Sequence, residues 1–162
     1  MITEEDLARY EAKWRSPIVF DYKDIKIISM GPPSSDGMTM DQIFTMIAPY
    51  EIASYGHNST RAIQLFTEAS RRAYADRNHY LGDPDFVDIP YKGLMDVDYL
   101  KCRMADFTFD RATLSSEVGH GTVEIVESSE TTHYSIIDAE GNAISATTTL
   151  NGGYGSKLYI DA

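Results

Sequence analysis

"TTHYSIIDAEGNAISATTTLN", residues 131–151, contains two short runs of alternating apolar and polar residues, "THYSIID" and "AISATTTL", around the turn-forming "AEGN". Alternation with a period of two on both sides of a Gly-Asn turn predicts a β-hairpin. A hairpin alone is marginal in water, so these strands demand more sheet than the two predicted around residues 18–29 supply. The stretch opens with Thr131-Thr132-His133, directly after the acidic run "ESSE" at 127–130. Two readings of that junction stand side by side. Threonine favours strands, so the pair simply begins one. Alternatively, Thr131 is a nucleophile. A hydroxyl is a poor one unless a base sits beside it. If the chain were cut before Thr131, its new α-amine would be that base, with an ordinary pKa of about 7.7–8.0.

Upstream, the pattern is helical. Thr3 with Asp6 resembles a capping box, and Leu7, Tyr10 and Trp14 follow at helical spacing as far as Pro17. "IVFDYKDIKIISM" reads as two strands around Tyr22-Lys23-Asp24. "GPPSSDGM", 31–38, is a turn-rich loop without the lysine of a phosphate-binding loop. Thr39 with Gln42 is a second capping box, and Met40, Ile43, Phe44 and Ile47 form one apolar face. "STRAIQLFTEASRRAYADRNHYL", 59–81, is the longest helix. Ala62, Leu65, Phe66, Ala69 and Ala73 line one side, with Glu68 and Arg72 as an i,i+4 pair on the other. "GDPDF" ends it. Asp83 and Asp85 there, like Asp76 before them, read as capping and turn residues. Asp96 caps a last helix carrying Val97, Leu100 and Met104. Residues 110–130 lack periodicity and read as an extended, mobile acidic linker. The order is α+β.

Composition narrows the function. Twenty-five acidic and fourteen basic residues leave a net charge of −11. Such a surface repels phosphate backbones, which argues against nucleic-acid binding. No apolar run approaches the ~20 residues that span a bilayer, and "MITEEDLARY" is too acidic for a secretory signal. Cys102 is the only cysteine, so neither an intramolecular disulfide nor a cysteine zinc site can form. Its helical setting predicts a buried apolar role. His57, His79, His120 and His133 are scattered, with no i,i+4 pair, and read as ordinary histidines with no metal site.

Five segments together carry a resemblance: "TEEDLARY", "PPSSDGMTMDQI", "EASRRAYADRNHYLGDPDF", "TTHYSIIDAEGNAIS" and "TTTLNGGYGS". In this order and spacing the chain resembles γ-glutamyltransferase (γ-glutamyl transpeptidase, or glutathione hydrolase), of the N-terminal-nucleophile hydrolase superfamily. The resemblance implies part of a four-layer αββα sandwich. It implies a precursor that cleaves itself between Glu130 and Thr131. Residues 1–130 would then end a large subunit and 131–162 begin a small one, the two forming a heterodimer. Thr131 would be the nucleophile in self-cleavage and in catalysis, Thr149 would orient it, and Asn151 would help hold the glutamyl group. Glutathione and other γ-glutamyl compounds would be donors; water, amino acids or peptides would be acceptors. No cofactor is implied. Related acylases acting on cephalosporins or on poly-γ-glutamate share this chemistry, and a non-catalytic remnant is the reading from another class. The family's place is periplasmic, secreted or on the cell surface.

Two departures qualify the likeness. Asp36 stands where the family usually has the first of two glycines, and aspartate tolerates turn geometry better than most residues. The likeness also implies an internal piece. The arginine for the substrate α-carboxylate would precede Met1, and the oxyanion-hole glycines, paired serines and an acidic residue would follow Ala162. Such a piece is expected to be inactive and uncut by itself.

Overall fold

Ser59 starts the longest helix as the sequence predicts: its hydroxyl accepts the Ala62 N–H at 3.2 Å, and α3 runs Thr60–Tyr80. The extended conformation of Leu81 stops it. The structure is a computed structural model describing residues 3–123 and the backbone of the strands at 132–137 and 143–148. Residues 15–127 form one compact unit, and 1–14 with 128–162 form another.

In the first unit, α3 packs against α2, Asp36–Ile47. Ile43, Met46, Ile47, Leu65, Ala69, Ala73, Leu100 and Met104 make one core cluster. The two alanines leave room for the close approach that their size suggests. Phe66, expected on the apolar face, is 47% exposed. The buried stripe runs instead through Leu65, Ala69, Ala73, Asp76 and Tyr80, so Phe66 falls at its margin. A second cluster joins Met38, Tyr80, Leu81, Ile89 and Leu94, the last from the short α4, Tyr91–Leu94. Asp96 caps α5, Val97–Arg103, by accepting the Tyr99 N–H at 2.9 Å. Leu100 is buried on α5, whereas Cys102 is exposed, contrary to the buried role expected of it. Their spacing puts them on different faces of the helix.

Helix α2 begins earlier than its sequence suggests. Ser35 is its N-cap residue, without a side-chain cap bond, and Asp36 is its first residue. Thr39 and Gln42 are therefore buried inside the helix and form no capping box. The Gln42 amide serves the core: it donates to the Leu94 carbonyl at 2.9 Å and lies 3.4 Å from Asp76. Met40 turns outward and is 36% exposed.

The first turn of α2 shows which of its residues must be small. Asp36 is exposed on the first helical turn, where an acid complements the helix dipole. Gly37 is buried: a Cβ there would meet the Met30 carbonyl oxygen at 2.7 Å and Ile18 Cβ at 2.8 Å. Gly37→Ala is expected to destabilise this unit by about 1–3 kcal/mol, the usual cost of overpacking. Asp36→Gly should cost no more than about 1 kcal/mol, through helix propensity. Urea melts of the two variants check the contrast.

Strands β1, Ile18–Tyr22, and β2, Ile25–Ser29, form the expected antiparallel hairpin, with Ile18 opposite Ser29 and Tyr22 opposite Ile25. Lys23 turns the chain at φ 56°. Phe20 and Tyr22 pack on Phe44 of α2, ring centroids 6.2 and 4.8 Å away.

The second unit holds α1, Glu4–Arg9, with the expected reciprocal capping box. The Thr3 N–H donates to Asp6 at 2.8 Å, and the Asp6 N–H donates to the Thr3 hydroxyl at 3.2 Å. The helix stops at Arg9 instead of reaching Pro17, and none of its residues is buried. A short helix with no buried face gains too little to propagate. Strands β3, Thr132–Ile137, and β4, Ala143–Thr148, pair antiparallel as predicted. The described strands thus form two separate two-stranded sheets.

Candidate functional site

Glu130, Thr131, Thr149 and Asn151 lie outside the described residues. What bounds them is described. In the β3–β4 ladder Thr132 stands opposite Thr148 and His133 opposite Thr147. Thr131 precedes the first of these pairs in sequence, and Thr149 follows it.

On the other side of the junction, the chain from 103 to 123 is tied to α3. It has no regular secondary structure beyond the end of α5, as its lack of periodicity suggests, yet as far as Val123 it is heavily bonded. Gln64 donates to the carbonyls of Thr108 and Arg111, both at 3.1 Å, and Arg71 donates to that of Thr113 at 2.7 Å. Tyr50, Tyr55, Phe107 and Phe109 stack edge to face beneath it, with the Arg61 guanidinium 4.5 Å from the Phe109 ring.

Glu68 and Arg72 are the centre of this attachment. Their pairing is as expected, but both are 2% exposed and not on a solvated face. Burying two charges is costly unless each is fully bonded. Here each is. Glu68 accepts from Arg72, from Arg71 at 3.0 Å and from the Thr113 N–H at 3.0 Å. Arg72 also donates to the Arg103 carbonyl and to Asp106, both at 2.7 Å. Burial raises the Glu68 carboxyl, but the bonds from Arg72 and Thr113 outweigh it and hold it below the usual glutamate range. Its folded pKa therefore lies below its unfolded value near 4.5. The stability it contributes is complete above pH ~4.5 and is lost as pH falls through the folded pKa. Glu68→Gln is expected to lower the melting temperature at neutral pH and to flatten its fall below pH ~4.5, a comparison that thermal melts from pH 3 to 7 would make.

Asp76 is a second buried centre, fully enclosed mid-helix, and not the capping residue its sequence context suggests. One oxygen accepts the Gly121 N–H at 2.8 Å and lies 3.0 Å from Arg103. The other accepts the Tyr99 hydroxyl at 2.8 Å. Burial and that bond push the Tyr99 phenol well above its usual range, so it stays protonated as the donor. Asp83 and Asp85 do hold a turn. Asp83 accepts the Asp85 N–H at 3.0 Å, and Arg15 clasps Asp85 with two bonds of 3.0 Å.

Other features offer less chemistry. His79 and His120 stack in parallel, 3.6 Å apart. Among the described residues, no three His, Cys, Asp or Glu side chains converge on a point that could hold a metal. A 510 Å³ cleft beside the 3-10 turn Ile52–Tyr55 is lined by Ile63, Phe66 and His57 among others, with no carboxylate, amine or thiol.

Known proteins match this chain over nearly its whole length. The family model described as Gamma-glutamyltranspeptidase matches residues 1–162. This chain belongs to the gamma-glutamyltranspeptidase family. The glutathione hydrolase proenzyme of Escherichia coli (strain K12) is 43% identical over 158 residues, which is 98% of this chain and 27% of that protein. The acylase ACY 1 proenzyme of a Pseudomonas (strain SE83) is 37% identical over 161 residues, 99% of this chain and 28% of that one. The crystal structure of Helicobacter pylori gamma-glutamyltranspeptidase superimposes with a TM-score of 0.70 at 41% identity, covering 75% of this chain and 35% of that chain. The chain thus spans a little over a quarter of the curated family members' length. No described helix is long and apolar enough to cross a membrane.

The attachment centred on Glu68, Arg72 and Asp76 is what sequence reasoning missed in this family member. Its partners are largely backbone groups of residues 103–121, which carry no side-chain signature. The available signal was a helix with more charge on its packed side than an amphipathic pattern permits.

Proposed function

We propose that this chain carries the self-cleavage junction and nucleophile of a γ-glutamyltransferase acting on glutathione. The observation that carries the reading is the β3–β4 register. Thr132 faces Thr148, and Thr131 and Thr149 are their immediate neighbours in sequence. Family membership over the whole chain supports the same assignment.

In this reading the Thr131 hydroxyl attacks the Glu130 carbonyl, and the acyl group passes from nitrogen to oxygen. That shift leaves the Thr131 nitrogen as a free α-amine, and water then cleaves the ester, releasing the Glu130 carboxylate and restoring the Thr131 hydroxyl. In turnover that amine takes the hydroxyl proton as Thr131 attacks the γ-glutamyl carbonyl of glutathione. Cysteinylglycine leaves with a proton, and a γ-glutamyl ester remains on Thr131. Water or an acceptor amine releases it. Thr149 orients the nucleophile and Asn151 helps hold the glutamyl group. Residues 1–130 end the large subunit, 131–162 begin the small one, and both lie in an αββα sandwich. The mature heterodimer would work in the periplasm, outside the cell or on its surface.

Steady-state kinetics of Thr149→Ala in the family-length protein tests the arrangement. A residue that positions the nucleophile should lower kcat by roughly ten- to a hundredfold and leave KM nearly unchanged. A raised KM with unchanged kcat would make Thr149 a binding residue. An acylase is the second reading, favoured by the 37% identity to the ACY 1 proenzyme. Turnover of a cephalosporin side-chain amide without hydrolysis of glutathione would establish it.

A further inference from the structure

Two buried oxygens of α2 have no hydrogen-bonding partner among the described residues: the Thr39 hydroxyl and the Gln42 amide oxygen. Thr39 is 5% exposed and Gln42 0%, so bulk solvent reaches neither. A buried polar group left unsatisfied is costly, and few in native proteins are. The Gln42 amide is the right way round. Its nitrogen donates to the Leu94 carbonyl and faces Asp76 at 3.4 Å. Turned over, it would set its oxygen against two acceptors. Thr39 stands three residues before Gln42, on the same face of the helix. A helical side chain leans back over the preceding turn, which carries the Gln42 amide toward Thr39. The surroundings are apolar. Leu94, whose carbonyl Gln42 holds, and Met38, next to Thr39 in the chain, are both 0% exposed and belong to the cluster around Tyr80.

We propose that Thr39 and Gln42 form a binding site for a single buried water molecule, which is a built-in part of the packing of α2. The water donates one hydrogen to the Gln42 amide oxygen. It shares a second bond with the Thr39 hydroxyl, in either direction, since a hydroxyl both donates and accepts. Cβ atoms three residues apart on a helix are about 5–6 Å from each other, a gap that two bonds of about 2.8 Å through one oxygen span. Two polar partners are enough to hold an internal water. Two neutral oxygens are too few for a calcium ion, which takes about six to eight. The consequence is positional. The water keeps the Gln42 amide in the orientation that lets its nitrogen tie α2 to Leu94 of α4 and to Asp76 of α3.

Urea unfolding of the full chain tests the site by changing one group. Thr39→Val replaces the hydroxyl by a methyl group and keeps the branched shape. A water that loses one of its two partners no longer binds, and the Gln42 oxygen is then stranded. The expected result is a urea midpoint lowered by about 0.3–1 M in Thr39→Val. In a Gln42→Met background the water has already lost its acceptor, so adding Thr39→Val should lower the midpoint no further. An unchanged or higher midpoint in Thr39→Val alone would overturn the proposal, because removing a hydroxyl that nothing satisfies is not destabilising. So would an equal loss in both backgrounds, since the hydroxyl would then act without Gln42. A high-resolution crystal structure of the full chain decides the matter directly, even where the Gln42→Met chain does not fold. It should show one water within hydrogen-bonding distance of both oxygens. A Thr39 hydroxyl turned onto the Ser35 carbonyl, with no water beside Gln42, would overturn the proposal.

Discussion

Thr131→Ala in the family-length protein is expected to leave the precursor in one piece and to remove γ-glutamyl transfer. One hydroxyl is asked to perform both reactions, so no residual route bypasses it. Loss of a nucleophile in enzymes of comparable mechanism costs on the order of 10⁴–10⁶ in kcat. Thr131→Ser should retain part of each activity, since it keeps the hydroxyl and the α-amine and loses a methyl group. Denaturing gels and a glutathione hydrolysis assay read both effects. Two normal subunits from Thr131→Ala would move the nucleophile elsewhere.

The second large effect concerns stability. Arg72→Met is expected to destabilise the unit of residues 15–127 by about 3–5 kcal/mol, because it strands the Glu68 carboxylate in the core. The Glu68 bonds from Arg71 and Thr113 soften the loss, but Asp106 and the Arg103 carbonyl also lose their donor. The double variant Glu68→Leu/Arg72→Met should recover part of it, since a buried pair replaced by apolar groups of similar volume is often neutral. Urea unfolding of both singles and the double yields the coupling energy. Additive losses would mean that the two charges act independently, which their geometry does not allow.

The contrast between α3 and α2 shows what the sequence made legible. The ends of α3 were readable because Ser59 is a side-chain cap and Gly-Asp-Pro follows it. Thr3 with Asp6 and Asp96 were readable for the same reason. The start of α2 was not, because Ser35 makes no cap bond and the Thr39/Gln42 spacing imitates a box. Spacing cannot reveal that Gln42 faces a carbonyl 52 residues away. The Glu68–Arg72 pair was readable as a pair but not as buried. An i,i+4 ion pair sits in water unless something covers it, and the cover is a segment without periodicity. The β3–β4 hairpin was plain from alternation around "AEGN". Thr131 was not plain from spacing, since a strand start and a nucleophile look alike there. The five segments in family order are what favour the nucleophile reading there.

Mass analysis of the small fragment, before and after brief exposure to a γ-glutamyl donor and acid quench, tests the central claim most directly. The account predicts a fragment whose first residue is Thr131, and after exposure a population heavier by one γ-glutamyl group carried on that residue. An intact chain, a fragment starting elsewhere, or a glutamyl group on another side chain would contradict it.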